Sequence, residues 1–173
     1  MNPNLRASLL FAVVLSLALP STAWSRAADR TQPIYLDSDK QTATMDGNGI
    51  SVWSGSVALT QGSMNIAAGR AELTQRNGDP VRAVFTGKPV TLKQQMDDGT
   101  TMTATADKID YDLTTDTIIF TGNYTVTSPR GSNSGQRLVY DTRSGTLQGG
   151  GDGSRVRTVI QPRSAAAKPA GTR

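Results

Sequence analysis

Apolar and polar residues alternate with a period of two along most of the chain, from about residue 32 to residue 162. Apolar side chains stand two positions apart with Ser, Thr, Lys or Asp between them, as in a β-strand that has one dry face and one wet face. The clearest runs are Val57 and Leu59; Val90 and Leu92; Ile109, Tyr111 and Leu113; and Leu138 and Tyr140. No stretch after the first 25 residues keeps a helical period, so the pattern predicts an all-β fold.

The alternating runs belong to a repeat that is marked by three glycines. Gly55, Gly87 and Gly122 occupy matching places in VWSGSVALTQG, VFTGKPVTLKQQMDDG and IFTGNYTVTSPRG, at spacings of 32 and 35 residues. Repeats of this length indicate stacked supersecondary units. A glycine inside a strand often marks a sharp bend, so we expect the three bends to align as a crease across one sheet. The sheet would then have two walls and a V-shaped cross-section, with apolar residues facing each other.

Turn residues separate the predicted strands at regular places. Asparagine, aspartate and proline combined with glycine favour tight turns. The predicted turns are Gln61-Gly62, Asn77-Gly78-Asp79-Pro80, Asp97-Asp98-Gly99, Pro129-Arg130-Gly131 and Ser144-Gly145. Small residues at Ala67, Ala68, Gly69 and Ala71 and at Thr103–Ala106 would keep one wall thin and leave an unfilled furrow between the walls. A β-sandwich with an ordinary filled core fits the same alternation, and the pattern leaves both open.

The two ends of the chain differ from the strand-like body. An apolar run from Leu9 to Leu19, followed by small residues at Ser21 and Ala23, is typical of a secretory signal peptide. We therefore predict a signal peptide over residues 1–25, a β-domain over 26–162 and export to the periplasm. Residues 163–173 are rich in Ala and basic residues and predict a disordered tail.

Composition narrows the chemistry. The chain contains no cysteine and no histidine, which excludes a thiolate zinc site, a cysteine nucleophile and a Ser-His-Asp triad. The carboxylate pair Asp97-Asp98 lies in a predicted turn, and Asp37 and Asp39 lie near an exposed start. The formal charge is +4 without a basic stripe that carries interleaved aromatics, so we expect no nucleic-acid partner. We expect neither an enzyme nor a cofactor or metal site.

An ordered set of short motifs gives the body a family resemblance. The set is Gln32-Pro33-Ile34, Asp37-Ser38-Asp39, Asp46-Gly47-Asn48, the strand and turn Gly55–Gly62, Gly87-Lys88-Pro89, Thr121-Gly122-Asn123 and Arg155–Pro162. With these motifs the chain resembles the OstA-like proteins of lipopolysaccharide transport. It departs from them where the family's Ala-Asp-Lys, kept at Ala106–Lys108, becomes Ala68-Gly69-Arg70 and Gly135-Gln136-Arg137. The resemblance implies an open, twisted β-jellyroll with a lipid groove and no enzymatic activity.

The resemblance also suggests which residues contact lipid acyl chains. Matching positions in the family point to Ile34, Leu36, Leu92, Tyr111 and Leu113. Alternation adds Val57, Leu59, Met64, Ile66, Leu73, Phe85, Ile109, Phe120, Tyr124, Leu138 and Tyr140. Plain core packing is an equal alternative for each of them.

The resemblance further implies partners that join end to end. These are homologous OstA-like domains of an inner-membrane and an outer-membrane transport component, with head-to-tail self-association as a further possibility. An open sheet has unpaired edge strands that accept a strand from another chain. The expected edge residues are Ile34, Tyr35 and Leu36 at one end and Val156, Thr158, Val159 and Ile160 at the other. Two other functions remain open, a polysaccharide-active enzyme and a structural or adhesive protein.

Overall fold

The structure, a computed structural model, describes residue 29 and residues 31–44 and 47–162. The predicted signal peptide and the predicted tail lie outside these residues. The described part contains ten strands. They are β1 (Tyr35–Asp37), β2 (Lys40–Thr42), β3 (Gly49–Gln61), β4 (Met64–Arg76), β5 (Asp79–Gln95), β6 (Thr101–Asp112), β7 (Thr117–Ser128), β8 (Gly131–Asp141), β9 (Thr146–Gly149) and β10 (Arg157–Ile160). No described helix is long and apolar enough to cross a membrane.

All ten strands belong to one antiparallel sheet in which chain neighbours pair in sequence. The order is β1-β3-β4-β5-β6-β7-β8-β10, with β2 also paired to β3 and β9 also paired to β8. Tight turns at the predicted glycines connect the long strands, for example Asn77-Gly78 between β4 and β5. Within the described residues β1 and β10 do not pair, so the sheet stays open. The predicted all-β class and open sheet are confirmed.

A crease runs across the sheet where the sequence predicted it. The pairing register shifts between Ser54 and Val57, between Thr86 and Val90, and between Thr121 and Tyr124. Gly55 and Gly122 adopt positive φ, at 76° and 78°, and so does the residue that follows each of them. Two successive positive φ values turn a strand sharply, and the glycine at the first position of each pair adopts such a φ at low cost. Gly87 differs from the other two marker glycines because its φ is not positive, although the register also shifts there.

The crease divides the sheet into two walls. The first wall is formed by β2, β9 and residues 49–54, 70–76, 79–86, 108–112, 117–121 and 137–141. The second wall is formed by β1, β10 and residues 57–61, 64–67, 90–95, 101–106, 124–128 and 131–135. We call the margin of each wall that lies farthest from the crease its rim.

Apolar side chains line up in rows that run across the strands inside the two walls. The cross-strand register places Leu59, Ile66, Leu92, Ala104 and Val126 in one row of the second wall. It places Trp53, Ala71, Phe85, Ile109, Phe120 and Leu138 in one row of the first wall. All these side chains are buried in one cluster, so the two walls pack on each other through their dry faces.

Candidate functional site

Packed side chains fill the middle of the interior. Phe85, Leu92, Ile109 and Phe120 are 0% exposed, which leaves no open furrow at their depth. The unfilled furrow that small residues suggested is therefore not continuous. The small residues Ala104 and Ala106 do line the second wall, but they are themselves buried in the packed core.

Open space remains at the N-terminal end of the interior. A cavity of about 550 Å³ opens there between the walls, and we call it the N-terminal mouth. Its apolar lining comes from both walls, and three glutamines stand around it. The lining residues are Gln32, Ile34, Leu36, Trp53, Gln61, Leu73, Gln75, Pro80 and Leu113. A cavity of this size and apolar character accepts part of an alkyl chain.

A smaller cavity of about 230 Å³, the C-terminal mouth, lies at the other end of the interior. Leu147 of the first wall and Val159 and Ile160 of the second wall line it together. The rest of the lining is Val126, Ser128, Arg130, Gly131, Ser132, Asn133 and Thr158. The interior thus has an opening at each end of the sheet and a packed region between them.

Tyr124 closes the interior behind the C-terminal mouth. Its ring fits beside Gly135 and Gly149, where an added Cβ would lie 3.0 Å from the ring and 2.8 Å from the hydroxyl. The hydroxyl donates to Asn133 Oδ1 at 2.6 Å, and Asn133 Nδ2 donates to Thr158 Oγ1 of β10 at 2.9 Å. Burial raises the pKa of Tyr124, and Asp152 raises it further, so the phenol stays protonated as a donor.

A second polar contact lies at the N-terminal mouth. Gln61, which is buried at the rim of the second wall, donates from Nε2 to the backbone oxygen of Gln32 at 3.3 Å. This bond fastens the segment before β1 to the rim. The glutamines of this mouth supply uncharged hydrogen-bonding groups beside an apolar floor, which suits the boundary between an alkyl chain and a polar group.

Charged groups lie on the outer faces of the walls. Arg82 Nε and Nη2 donate to the two carboxylate oxygens of Asp110 at 2.7 and 2.5 Å, and Lys108 lies 3.4 Å from the same carboxylate. The hydrogen bond from Arg82 holds the pKa of Asp110 below its usual range. Among the described residues no group of three acidic side chains could hold a metal ion.

The two ends of the sheet present short strands with exposed apolar side chains. Tyr35 of β1 is 63% exposed and Ile160 of β10 is 79% exposed. β10 pairs with β8 through four residues, Arg157 to Ile160, and all four are exposed. Such ends offer both backbone hydrogen-bonding groups and apolar surface to another chain.

Comparison with known proteins connects this architecture to a family. The family model described as LptA/(LptD N-terminal domain) LPS transport protein matches residues 35–146. The chain belongs to this family. The lipopolysaccharide export system protein LptA of Escherichia coli K12 is 31% identical over 157 residues, which cover 89% of this chain and 83% of that protein. LptA of Haemophilus influenzae is 32% identical over 158 residues, covering 89% and 91%.

A solved relative shares the fold. The crystal structure of LptH, the LptA-homologous periplasmic component of the lipopolysaccharide transport device of Pseudomonas aeruginosa, superposes with a TM-score of 0.71 and 27% identity. The match covers 78% of this chain and 99% of that one. It confirms the open β-jellyroll, and the family match confirms the resemblance to the OstA-like proteins.

The structure places the predicted lipid-contacting residues in two settings within this family fold. Ile34, Leu36, Leu73 and Leu113 are half-buried at the N-terminal mouth. The others are buried in the packed interior, namely Val57, Leu59, Met64, Ile66, Phe85, Leu92, Ile109, Tyr111, Phe120, Tyr124, Leu138 and Tyr140. Their contact with lipid stays a prediction.

Several residues of the site were not predicted from the sequence. Trp53 lies in the N-terminal mouth, and its place two residues before Gly55 in the alternating run was the available signal. Gln61 and Gln94 are also buried on the inner face. The alternation of apolar and polar positions placed them on that face, but they were not predicted as site residues. They were missed because glutamine is ordinarily a surface residue.

Proposed function

We propose that this protein is a periplasmic carrier that holds the acyl chains of lipopolysaccharide between its two walls. The observation that carries the proposal is the pair of apolar rows, which face each other from β3 to β8 and lead to a mouth at each end. The predicted signal peptide agrees with export, and relatives of similar length are named as lipopolysaccharide export proteins.

An aqueous compartment makes such shielding necessary. Each methylene moved from a membrane into water costs about 0.8 kcal/mol, so several acyl chains resist the transfer by tens of kcal/mol. A carrier needs an apolar path without unpaired backbone groups, which the inner face of an antiparallel sheet supplies. The sugars and phosphates of the lipid would remain outside the walls.

The packed interior implies that the walls part when lipid binds. The half-buried residues Ile34, Leu36 and Leu113 would contact the acyl chains first, at the N-terminal mouth. The fully buried residues, with Leu92 and Tyr111 as examples, would exchange contacts with the opposite wall for contacts with alkyl chains. Because both kinds of contact are apolar, the exchange costs less than exposing either surface to water.

The sheet edges would join this protein to its neighbours. We propose that β1 at one end and β10 at the other pair with strands of homologous domains in the inner-membrane and outer-membrane transport components. A contact of this heterologous kind does not close on itself, so it also allows head-to-tail association of copies. The N-terminal mouth of one domain would then meet the C-terminal mouth of the next.

We propose no catalytic role. Asp97 and Asp98 lie in the β5–β6 loop, where Asp98 accepts from Thr100 and from Arg130. Both aspartates are exposed in a hairpin loop and line neither mouth, which speaks against a polysaccharide-active enzyme. A structural or adhesive role would require no lipid in the interior.

Site-specific photo-crosslinking tests the carrier function. A photo-crosslinking residue at Leu92 or Tyr111 should form adducts with lipopolysaccharide, whereas one at the outward-facing Lys93 should not. Circular dichroism would establish that each variant is folded. Folded Leu92 and Tyr111 variants that form no adduct, or an adduct at Lys93 of equal yield, would refute the proposal.

A further inference from the structure

Gln94 and Tyr140 meet across the rim of the two walls. Tyr140 lies on β8 in the first wall and Gln94 lies on β5 in the second, 46 residues away along the chain. The Tyr140 hydroxyl lies 3.4 Å from Gln94 Oε1, to which it donates. Gln94 is 4% exposed and Tyr140 is 1% exposed, so the contact is shielded from water.

The side-chain amide of Gln94 is a polar group buried among apolar neighbours. Cross-strand pairing places it beside Met102 on β6, and Met64 is buried at the same rim. On the opposite wall Tyr140 pairs with Ile118 and Leu147. A methionine would fill the place of Gln94 in this apolar setting without any polar group to satisfy. A buried amide is costly unless it is hydrogen-bonded, and Tyr140 supplies a partner from the other wall.

The hydrogen bond between Gln94 and Tyr140 lies where it can resist separation of the two walls. The walls are joined by continuous strands at the crease, so separation is greatest at the rim for a given change of angle. The middle of the interior is packed, and a lipid whose acyl chains lie between the walls keeps its polar head in water, outside the rim. The rim therefore parts wherever acyl chains occupy the interior.

We propose that Gln94 and Tyr140 form a latch that holds the rim closed and that opens when acyl chains occupy the interior beside it. The inference rests on the proposed carrier function. Met64 and Met102, with flexible thioether side chains, adapt to the changed contacts when the rim opens. The ligand class is an amphiphile with several alkyl chains on one polar head.

A conservative double variant tests the latch without creating a cavity. Gln94→Met with Tyr140→Phe replaces both partners of the hydrogen bond, so neither partner remains buried without the other. Uptake of purified lipopolysaccharide, followed by stopped-flow fluorescence, should be about three- to tenfold faster than in the natural protein, the range expected for loss of one hydrogen bond. An unchanged or slower uptake rate in the folded double variant would overturn the proposal.

A chemical tether that keeps the rim closed is a second test of the latch. The chain has no cysteine, so a short bis-maleimide can bridge Gln94→Cys and Tyr140→Cys specifically. Because both positions are buried, the bridge is formed in urea and the protein is refolded before the assay. Lys93→Cys with Thr127→Cys is the matched control, because both positions lie on the outer face of the second wall, two strands and about 9.6 Å apart. Tethering the rim should abolish lipopolysaccharide uptake, whereas tethering the control pair should not.

The outcomes separate the latch from the carrier function. If the natural protein takes up lipopolysaccharide and the rim-tethered protein does so equally fast, the latch is wrong and the carrier function stands. If the natural protein takes up none, the carrier function fails and the latch fails with it. Binding before tethering and none afterwards supports both.

Discussion

Asn123 Nδ2 donates to the Asp107 carboxylate at 3.1 Å, which ties β7 to β6 at the crease. On its other side the Asn123 amide oxygen accepts from Gln136 of β8 at 3.1 Å. Asn123 has a φ of 47°, a conformation that asparagine adopts more readily than most residues. The bend in β7 is therefore held by side chains from both neighbouring strands. Asp107 belongs to the Ala-Asp-Lys motif, so this contact gives the motif a structural role.

Gly122→Ala tests how tightly this contact is packed. Both Gly122 and Gly99 have a φ of 78°, but a Cβ on Gly122 would collide with Asp107, whereas nothing lies within 4 Å of a Cβ on Gly99. The backbone conformation alone costs an alanine about 1–2 kcal/mol. We expect Gly99→Ala to lose that amount of unfolding free energy in urea and Gly122→Ala to lose at least about 1 kcal/mol more. Equal losses would show that the crease is loosely packed.

The packed middle and the open mouth should respond differently to loss of side-chain volume. Leu92 is 0% exposed, so Leu92→Ala should lower the unfolding free energy by about 2–5 kcal/mol. Leu113 is half-buried beside the N-terminal mouth, and Leu113→Ala should cost about 1 kcal/mol or less. Urea titration measures both. A small loss for Leu92→Ala would mean that the middle of the interior is not filled.

Much of this architecture could be predicted from the sequence because alternate residues of a β-strand point to opposite faces of the sheet. Gly55 and Gly122 marked bends because positive φ at two successive residues needs glycine at the first. The filled interior could not be predicted, since alternation identifies which residues face inward but not the distance between the walls. That distance depends on how large side chains of one wall, such as Phe85 and Phe120, pack within the shared core. The pairing of Gln94 with Tyr140 joins residues 46 apart and leaves no local signal.

Acid should reveal the contribution of Asp110. Its pKa is lowered in the folded protein, chiefly by the hydrogen bond from Arg82, so the pair stabilises the fold above the unfolded pKa of about 3.9. This stabilisation is lost as pH falls through the lowered pKa. Because Arg82 is half-exposed, we expect Asp110→Asn to cost about 1 kcal/mol or less at pH 7. The unfolding free energies of the two proteins should converge once the pH falls below the lowered pKa of Asp110. Arg82→Gln should show the same convergence, and a difference that persists in acid would contradict this role.

The C-terminal end should govern association. Ile160 is 79% exposed at the edge strand, and a charge there would oppose burial against another chain. Ile160→Lys should weaken concentration-dependent self-association in sedimentation velocity by about tenfold or more, as expected for losing one buried isoleucine. Thr86→Lys is the control, since Thr86 is also exposed on a strand but lies on β5 in the middle of the sheet, away from both edges. Equal effects of the two changes would argue against pairing through β10.

The central claim is that acyl chains lie between the walls, and the distance between the walls tests it most directly. Spin labels at Thr127→Cys and Gln148→Cys, on the outer faces of the second and first walls, report that distance by pulsed electron resonance. Saturating lipopolysaccharide should lengthen it by at least about 4 Å, the contact separation of two carbon layers. Labels at Thr60→Cys and Thr127→Cys, four strands and about 19 Å apart within the second wall, should stay at their original distance. Stoichiometric binding of lipopolysaccharide with both distances unchanged would contradict the account.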